Sequence, residues 1–415
     1  MFERVLILSA SAGAGHLRAA DALERAFRLT GAAGEVRNID VLQHTNPLFR
    51  NLYSKTYLDM VNAMPEVLGW LYDRLDDPEQ DDRMRLTFEK LNARPFLKQL
   101  EEYAPDIVVC THMMPAGLIS WLKSEGRLAA RQAIVVTDFD VHAMWLCRHY
   151  EHYFVAMDET RAHLEELGVP AAKVSVTGIP IDPVFSQRKD AGEMKKKHGL
   201  DPDPDRTTIL VSAGGFGVGR VETLLAALGK LKHPAQVVAV CGRNEELYQD
   251  LRTRAAGQPA DALVKVAPVG FTKEMDELMA ASDLIVGKPG GLTTSEALAR
   301  GLVFVVVNPI PGQEERNSDH LLEEGAAIRC NNLPVLAYKI DRLLDDPKRL
   351  AAMRANARRI GRPNSAADVV ARLGTLSEAT SPLRPRSKLT PERAAKAAVA
   401  KIRRLPRKLG LDHDD

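Results

Sequence analysis

Short, uninterrupted runs of Val, Ile and Leu alternate with helical patterns from one end of this chain to the other. In the first half the runs are Val5–Leu8, Ile107–Cys110, Ile134–Val136 and Tyr153–Ala156. In the second half they are Ile209–Val211, Val237–Val240, Leu263–Val266, Leu284–Val286 and Val303–Val307. Strands that are apolar on both faces, separated by amphipathic helices, belong to parallel sheets covered by helices on each side. A chain of 415 residues exceeds one ordinary core, so two domains are expected. The boundary falls in the turn-rich and charged stretch 185–205, where Gly178-Ile179-Pro180-Ile181-Asp182-Pro183 gives way to Asp201-Pro202-Asp203-Pro204-Asp205. The expected class is α/β with two Rossmann-like domains, 1–185 and 200–363. In such sheets ligands bind beyond the carboxyl ends of the strands, so the interesting loops face a shared cleft.

Three departures from this rhythm stand out. Residues 47–103 contain no strand candidate and carry apolar and aromatic side chains that include Phe49, Tyr53, Tyr57, Trp70, Leu71 and Tyr72. That segment is either a helical layer packed on the sheet or an insertion whose apolar face touches lipid. Asn364–Ser377 reads as a terminal helix crossing back to the first domain. From Ser381 onward lies a flexible tail, with ten Lys or Arg between Arg384 and Lys408 against one acid, Glu392.

The balance of the whole chain excludes several classes. Net charge is +1, so there is no electrostatic case for nucleic acid. Cys110, Cys147, Cys241 and Cys330 are scattered and form no C-x-x-C pair, against a disulfide framework or a zinc site. No apolar run approaches the ~20 residues of a membrane span, and the first strand begins at once, with no signal-peptide pattern.

The chemistry concentrates at strand ends. Gly287-Lys288-Pro289-Gly290-Gly291-Leu292-Thr293-Thr294-Ser295-Glu296 leaves one apolar run and opens a helix that ends near Gly301. Proline and paired glycines permit a sharp turn and a close approach of backbone to ligand. The helix N-terminus then offers free N–H groups to a phosphate. Glu296 sits one turn inside, where a carboxylate can accept from a pair of sugar hydroxyls. A second such loop, Ser212-Ala213-Gly214-Gly215-Phe216-Gly217-Val218-Gly219, lacks the Lys-Ser/Thr of a P-loop, and Cys241-Gly242-Arg243-Asn244 stands where an NAD-binding acid belongs. ATP and NAD are therefore poor candidates. The first strand ends in Ser9-Ala10-Ser11-Ala12-Gly13-Ala14-Gly15-His16, which sets His16 at a helix N-terminus, where its imidazole is suited to base work near neutral pH.

These motifs, with Pro311-Gly312-Gln313-Glu314-Glu315-Arg316-Asn317, resemble the family of monogalactosyldiacylglycerol synthases and processive diacylglycerol glucosyltransferases. More distantly they are similar to the enzyme that adds N-acetylglucosamine to lipid I. The resemblance implies the GT-B fold and an inverting transfer of a hexose from UDP-glucose or UDP-galactose to diacylglycerol or a related lipid. UDP-sugar is then a substrate, with no further cofactor. On the nucleotide-sugar side the resemblance points to Gly214, Gly215, Phe216, Gly242, Arg243, Lys288, Pro289, Gly290, Gly291, Thr293 and Asn317. It further implies that Glu296 binds the ribose, that Gln313 and Glu314 hold hexose hydroxyls, and that the backbone of Phe271 meets uracil. It implies His16 as the base that deprotonates the acceptor. Asp138, in Val136-Thr137-Asp138-Phe139-Asp140-Val141-His142-Ala143-Met144-Trp145, would orient that base, with Gly15, His142 and Trp145 on the acceptor side. His112 is either structural or acceptor-side.

Asp138–Asp140 has the Asp-x-Asp form of a metal motif but lies in the acceptor half, so transfer without a bound divalent ion is expected. The helical insertion and the basic tail would together meet an anionic membrane, as a peripheral protein on the inner, cytoplasmic face. A nucleotide-sugar 2-epimerase shares the two-domain plan but needs carboxylates around C2 and no lipid contact. The third reading is a non-catalytic nucleotide-sugar binding protein.

Overall fold

The computed structural model describes residues 1–11, 13–51, 53, 65–77, 83–212 and 220–376, and Met1–Ser381 forms one compact unit. Gly214, Gly215, Phe216, Tyr57 and the basic tail lie outside the described residues. Among those described, two six-stranded sheets carry the fold. The first runs in the order β2-β1-β3-β4-β5-β6. Its members are β1 (Phe2–Ser9), β2 (Ala33–Asp40), β3 (Ile107–Cys110), β4 (Arg131–Val135), β5 (His152–Val155) and β6 (Val174–Val176). The second runs β12-β11-β10-β7-β8-β9. It comprises β7 (Thr207–Ser212), β8 (Ala235–Val240), β9 (Val264–Val269), β10 (Leu284–Gly287), β11 (Val303–Val307) and β12 (Ala327–Cys330). Every pairing in both sheets is parallel. The register sets Val5 beside Ile107 and Leu284 beside Ile209, so the strand ends that carry the motifs open on one side.

Helices cover the sheets because their apolar positions recur at helical spacing. The first helix, Ala14–Thr30, buries Ala19, Ala20, Leu23, Ala26 and Phe27 and stops at Gly31, whose left-handed φ of 61° closes its C-terminus. Its buried stripe packs with Val5, Ile7 and Val109 of the sheet and with Ala366, Val369, Val370 and Leu373 of the helix Ser365–Gly374. The last described helix therefore completes the core of the first sheet, not of the second. Gly178, at φ +84°, lies where that returning segment crosses, and a Cβ there would come 2.5 Å from Cβ of Arg362.

The segment 47–103 is helical where described, with helices Pro65–Leu75, Arg83–Asn92 and Arg94–Tyr103. Its apolar residues divide. Phe49 is 4% exposed and packs beside the rings of Tyr53 and Phe88, so it belongs to the core and not to an outward face. Trp70, Phe88 and Leu91 remain 52–59% exposed. Tyr72 is spent on a contact with the other half of the molecule: its ring lies against Gly312, where a Cβ would meet it at 2.9 Å, and under the guanidinium of Arg316. Among the described residues no helix is long and apolar enough to cross a membrane.

Candidate functional site

At the end of β1 the chain turns through Gly13, whose φ of 105° and ψ of 152° suit a residue without Cβ, and enters the first helix. His16 lies in that first turn. Its Nδ1 is 3.0 Å from the carbonyl of Thr111, beyond β3, and 2.8 Å from Oγ1 of Thr137, beyond β4. A carbonyl can only accept, so Nδ1 carries the proton and donates it, and Nε2 holds the lone pair. Burial pushes the imidazole down to about 4, against the weaker upward pull of the Thr111 carbonyl, so the ring is neutral throughout the physiological range. His112 packs edge-on against it at 4.5 Å between ring centroids. His112 is itself buried, and its Nδ1 accepts from the Met114 N–H as the cap of the helix Met113–Ser124. Gly15 sits in the same helical turn as His16, with open space where a Cβ would point.

The loop after β4 divides into a part that faces the second half and a part that packs into the first. Asp138 is 6% exposed, and burial raises its carboxyl to about 6, opposed by the hydrogen bond that it accepts from Gln313. His142 has both ring nitrogens engaged: Nδ1 accepts from the Met144 N–H, and Nε2–H donates to the Tyr72 carbonyl at 2.9 Å. Trp145 is 1% exposed, a core residue whose carbonyl accepts from the Tyr153 hydroxyl. His142 and Trp145 thus hold the loop in shape.

From the second sheet, β10 ends in Gly287 and the helix Gly291–Arg300 begins. Lys288 and Pro289 form the turn between them, and Thr293 is half-buried in the helix's first turn. Gly290 leaves room beside Glu314, whose Oε1 would lie 3.7 Å from a Cβ there. Gly291 has a different reason to be glycine: a Cβ would stand 2.4 Å from the Thr137 carbonyl oxygen of the first half. The helix N-terminus is therefore pressed onto the loop that holds His16. One turn on, Glu296 is 2% exposed. Its Oε1 accepts from Arg18, two residues beyond His16, while its Oε2 is buried without a hydrogen-bond partner. Burial raises the carboxyl of Glu296, and the charge of Arg18 pulls it back down.

The helix Gln313–Glu323 supplies the remaining contacts across the cleft. Gln313, Arg316 and Asn317 share one face of it at i, i+3 and i+4. Gln313 Nε2 donates to Asp138, Arg316 Nη1 to Asp140 at 2.8 Å, and Asn317 Oδ1 accepts from the Phe139 N–H at 3.1 Å. One helix face thus reads three consecutive residues of the opposite half. Asn317 is fully buried and also donates to the Pro289 carbonyl at 3.0 Å, tying the glycine turn to both. Glu314 accepts from the Ile310 N–H at 2.7 Å, and its carboxyl is raised by burial. On the same side of the second sheet, Gly242 takes a φ of 60°. The guanidinium of Arg243 lies 5.5 Å from the centroid of the Phe271 ring, which is 59% exposed.

Most of the residues singled out in the sequence therefore converge on one cleft. Four residues that complete it have no site role in the sequence reading: Thr111 and Thr137 hold His16, Arg18 meets Glu296, and Arg316 joins Asp140 and Asp76. The one trace of Arg18 in the sequence is its place two residues beyond His16, in the first turns of the same helix.

Residues 16–181 match the family model described as monogalactosyldiacylglycerol (MGDG) synthase, and residues 192–360 match that of glycosyl transferases group 1. A processive diacylglycerol beta-glucosyltransferase of Bacillus mycoides is 32% identical over 368 residues, which is 88% of this chain and 92% of that protein. Among solved structures, MurG of Acinetobacter baumannii superposes with a TM-score of 0.59 at 18% identity, over 89% of this chain and 98% of that one. The UDP-GlcNAc 2-epimerase from Neisseria meningitidis gives 0.55 at 13% identity, over 89% and 99%. At such identities the likeness is one of fold, the GT-B arrangement of two Rossmann-like domains about a cleft.

Proposed function

The chain belongs to the family of processive diacylglycerol glucosyltransferases, and from that membership and the cleft we propose an inverting transfer of glucose from UDP-glucose to diacylglycerol. It is a UDP-sugar-dependent glycosyltransferase that makes glycolipid. Glucose is chosen over galactose because the relatives are named as glucosyltransferases. The observation that carries the reading is the meeting, across the cleft, of a neutral histidine with its Nε2 lone pair and a buried carboxylate with an unpartnered oxygen.

In this reading Nε2 of His16 takes the proton from the acceptor hydroxyl as its oxygen bonds to the anomeric carbon. The bond from that carbon to the diphosphate breaks on the opposite face, so an α-linked donor gives a β-linked product and UDP leaves. The N–H groups at Gly290–Thr294 offset the charge that develops on the diphosphate. Glu296 takes the ribose hydroxyls on Oε2, and Gln313 and Glu314 take hexose hydroxyls. Phe271 meets the uracil edge through its backbone, beside Gly242 and Arg243. Asp138 contacts Gln313, and it is Thr111 and Thr137 that orient the base.

The acceptor is a lipid, so the protein works at a membrane surface, and we place it on the inner face of the cell membrane. Exposed Trp70, Phe88 and Leu91 support a peripheral contact. So does the groove that Leu91 lines, where Lys90, Arg94, Lys98 and Arg127 stand with Trp121 against one acid, Glu101.

Purified protein given diacylglycerol vesicles and either UDP-glucose or UDP-galactose should yield UDP and a β-glucosyl lipid, read by mass analysis, with glucose preferred. Epimerised nucleotide sugar without glycolipid would favour the epimerase reading, and UDP binding without any product the binding-protein reading.

A further inference from the structure

One interdomain contact has no part in the transfer as described. Glu296 is nearly sealed from solvent, yet it faces more acid than base. Asp182 and Asp276 both act on its carboxyl in the raising direction. Each already has a cation of its own: Arg25 pairs with Asp182, while Lys189 and Arg300 pair with Asp276. Among the described residues the cation that hydrogen-bonds Glu296 is Arg18, whose side chain is 44% exposed at the cleft. It takes Oε1 and leaves Oε2, buried and unpartnered, as the atom free for a ligand.

We infer that Arg18 is a positioning residue for nucleotide-sugar binding: it fixes Glu296 as a carboxylate with Oε2 aimed at the ribose hydroxyls. The inference rests on the reading of Glu296 as the ribose acceptor. Its physical basis is the cost of a buried carboxylate without a counter-ion, which neutralises by taking a proton. A neutral carboxyl loses the charge-assisted hydrogen bond that a sugar diol offers. Because Arg18 and His16 occupy the same helix, the contact also fixes the distance between the base and the nucleotide.

Titration calorimetry with UDP on the full chain tests this, using wild type, Arg18→Gln, Arg18→Lys, Glu296→Gln and the Arg18→Gln/Glu296→Gln double variant. Arg18→Gln should weaken UDP binding by about tenfold or more, the usual worth of one charge-assisted hydrogen bond. The ratio to wild type, which cancels the titration of UDP itself, should grow as the pH is lowered, because Glu296 then protonates. Arg18→Lys should recover most of the loss. In the Glu296→Gln background, Arg18→Gln should change nothing further. A loss that is the same at every pH, or that persists undiminished when Glu296 carries no charge, would overturn the inference while leaving the ribose assignment standing. Unchanged affinity in Glu296→Gln alone would instead overturn that assignment, and the inference with it.

Discussion

Replacing Gly291 by alanine sets a carbon 2.4 Å from the Thr137 carbonyl oxygen and 3.0 Å from Cδ1 of Ile179. The isoleucine can turn aside, but the carbonyl belongs to the backbone. Ordinary contact between such atoms begins near ~3.5 Å, so the two halves must part by roughly 1 Å at this point. Thr137 is also the residue whose Oγ1 lies 2.8 Å from Nδ1 of His16, so the displacement falls directly between His16, the proposed base, and the helix N-terminus proposed to hold the nucleotide sugar. A misplacement of ~1 Å can cost about 10²-fold in rate, and overpacking typically costs ~1–3 kcal/mol of stability. We expect Gly291→Ala to fold with a lowered Tm and to turn over about a hundredfold more slowly at saturating UDP-glucose and diacylglycerol. Turnover within about twofold of wild type at an unchanged Tm would refute the argument that this glycine sets the closure of the cleft.

Three further outcomes are expected. His16→Gln should leave UDP affinity nearly intact by calorimetry and lower turnover by about 10²–10⁴, the usual worth of a positioned base. Stability should depend on pH through the buried histidines. His16 and His152 are each lowered to about 4 by burial, so the unfolded chain takes up their protons first as the pH drops from ~6.5 toward ~4, and each takes stability away over that range. Asp138, raised to about 6, and Glu296 and Glu314, also raised by burial, act with the opposite sign. The test is therefore the difference between proteins: over that range the Tm of His152→Gln, relative to wild type, should rise as the pH falls. Finally, Phe88→Glu with Leu91→Glu, or deletion of the residues after Ser381, should each reduce sedimentation with anionic vesicles while sparing activity on detergent-dispersed acceptor. Binding equal to that of the full-length wild type would exclude the altered region from the membrane contact.

Most strands legible in the sequence are buried on both faces, where the apolar run is continuous; β9, an edge strand with no fully buried residue, is legible as well through Leu263–Val266. Those that leave no such run, β2, β6 and β12, are edge strands. β2 reads Ala-Gly-Glu-Val-Arg-Asn-Ile-Asp and has no fully buried residue, so its polar side chains are tolerated and no run forms. The glycine turns can be found because close approach leaves a trace in residue type. Arg18 cannot, because a cation on a helix reads as solvated surface until the fold brings a buried carboxylate to it. The packing roles of His142 and Trp145 are hidden for the converse reason. Caps and core residues share their residue types with ligand-binding groups, and only the direction of their hydrogen bonds separates them. Phe49 and Tyr72 are likewise indistinguishable in sequence from the exposed Trp70, because helical spacing alone does not say which face of an insertion meets the sheet.

The return of the helix Ser365–Gly374 onto the first sheet has a consequence for biosynthesis. Val369, Val370 and Leu373 fill the core against Leu23 and Phe27, although most of the chain separates the two groups. The first domain emerges from the ribosome early but lacks a layer of its own interior until almost all of the second has been made. At ~5–20 residues per second that interval lasts roughly 10–40 s. Throughout it the part of the first domain's core that this helix covers is exposed, a surface that a chaperone or an aggregate can take. A fragment that stops before residue 365 would keep that surface permanently.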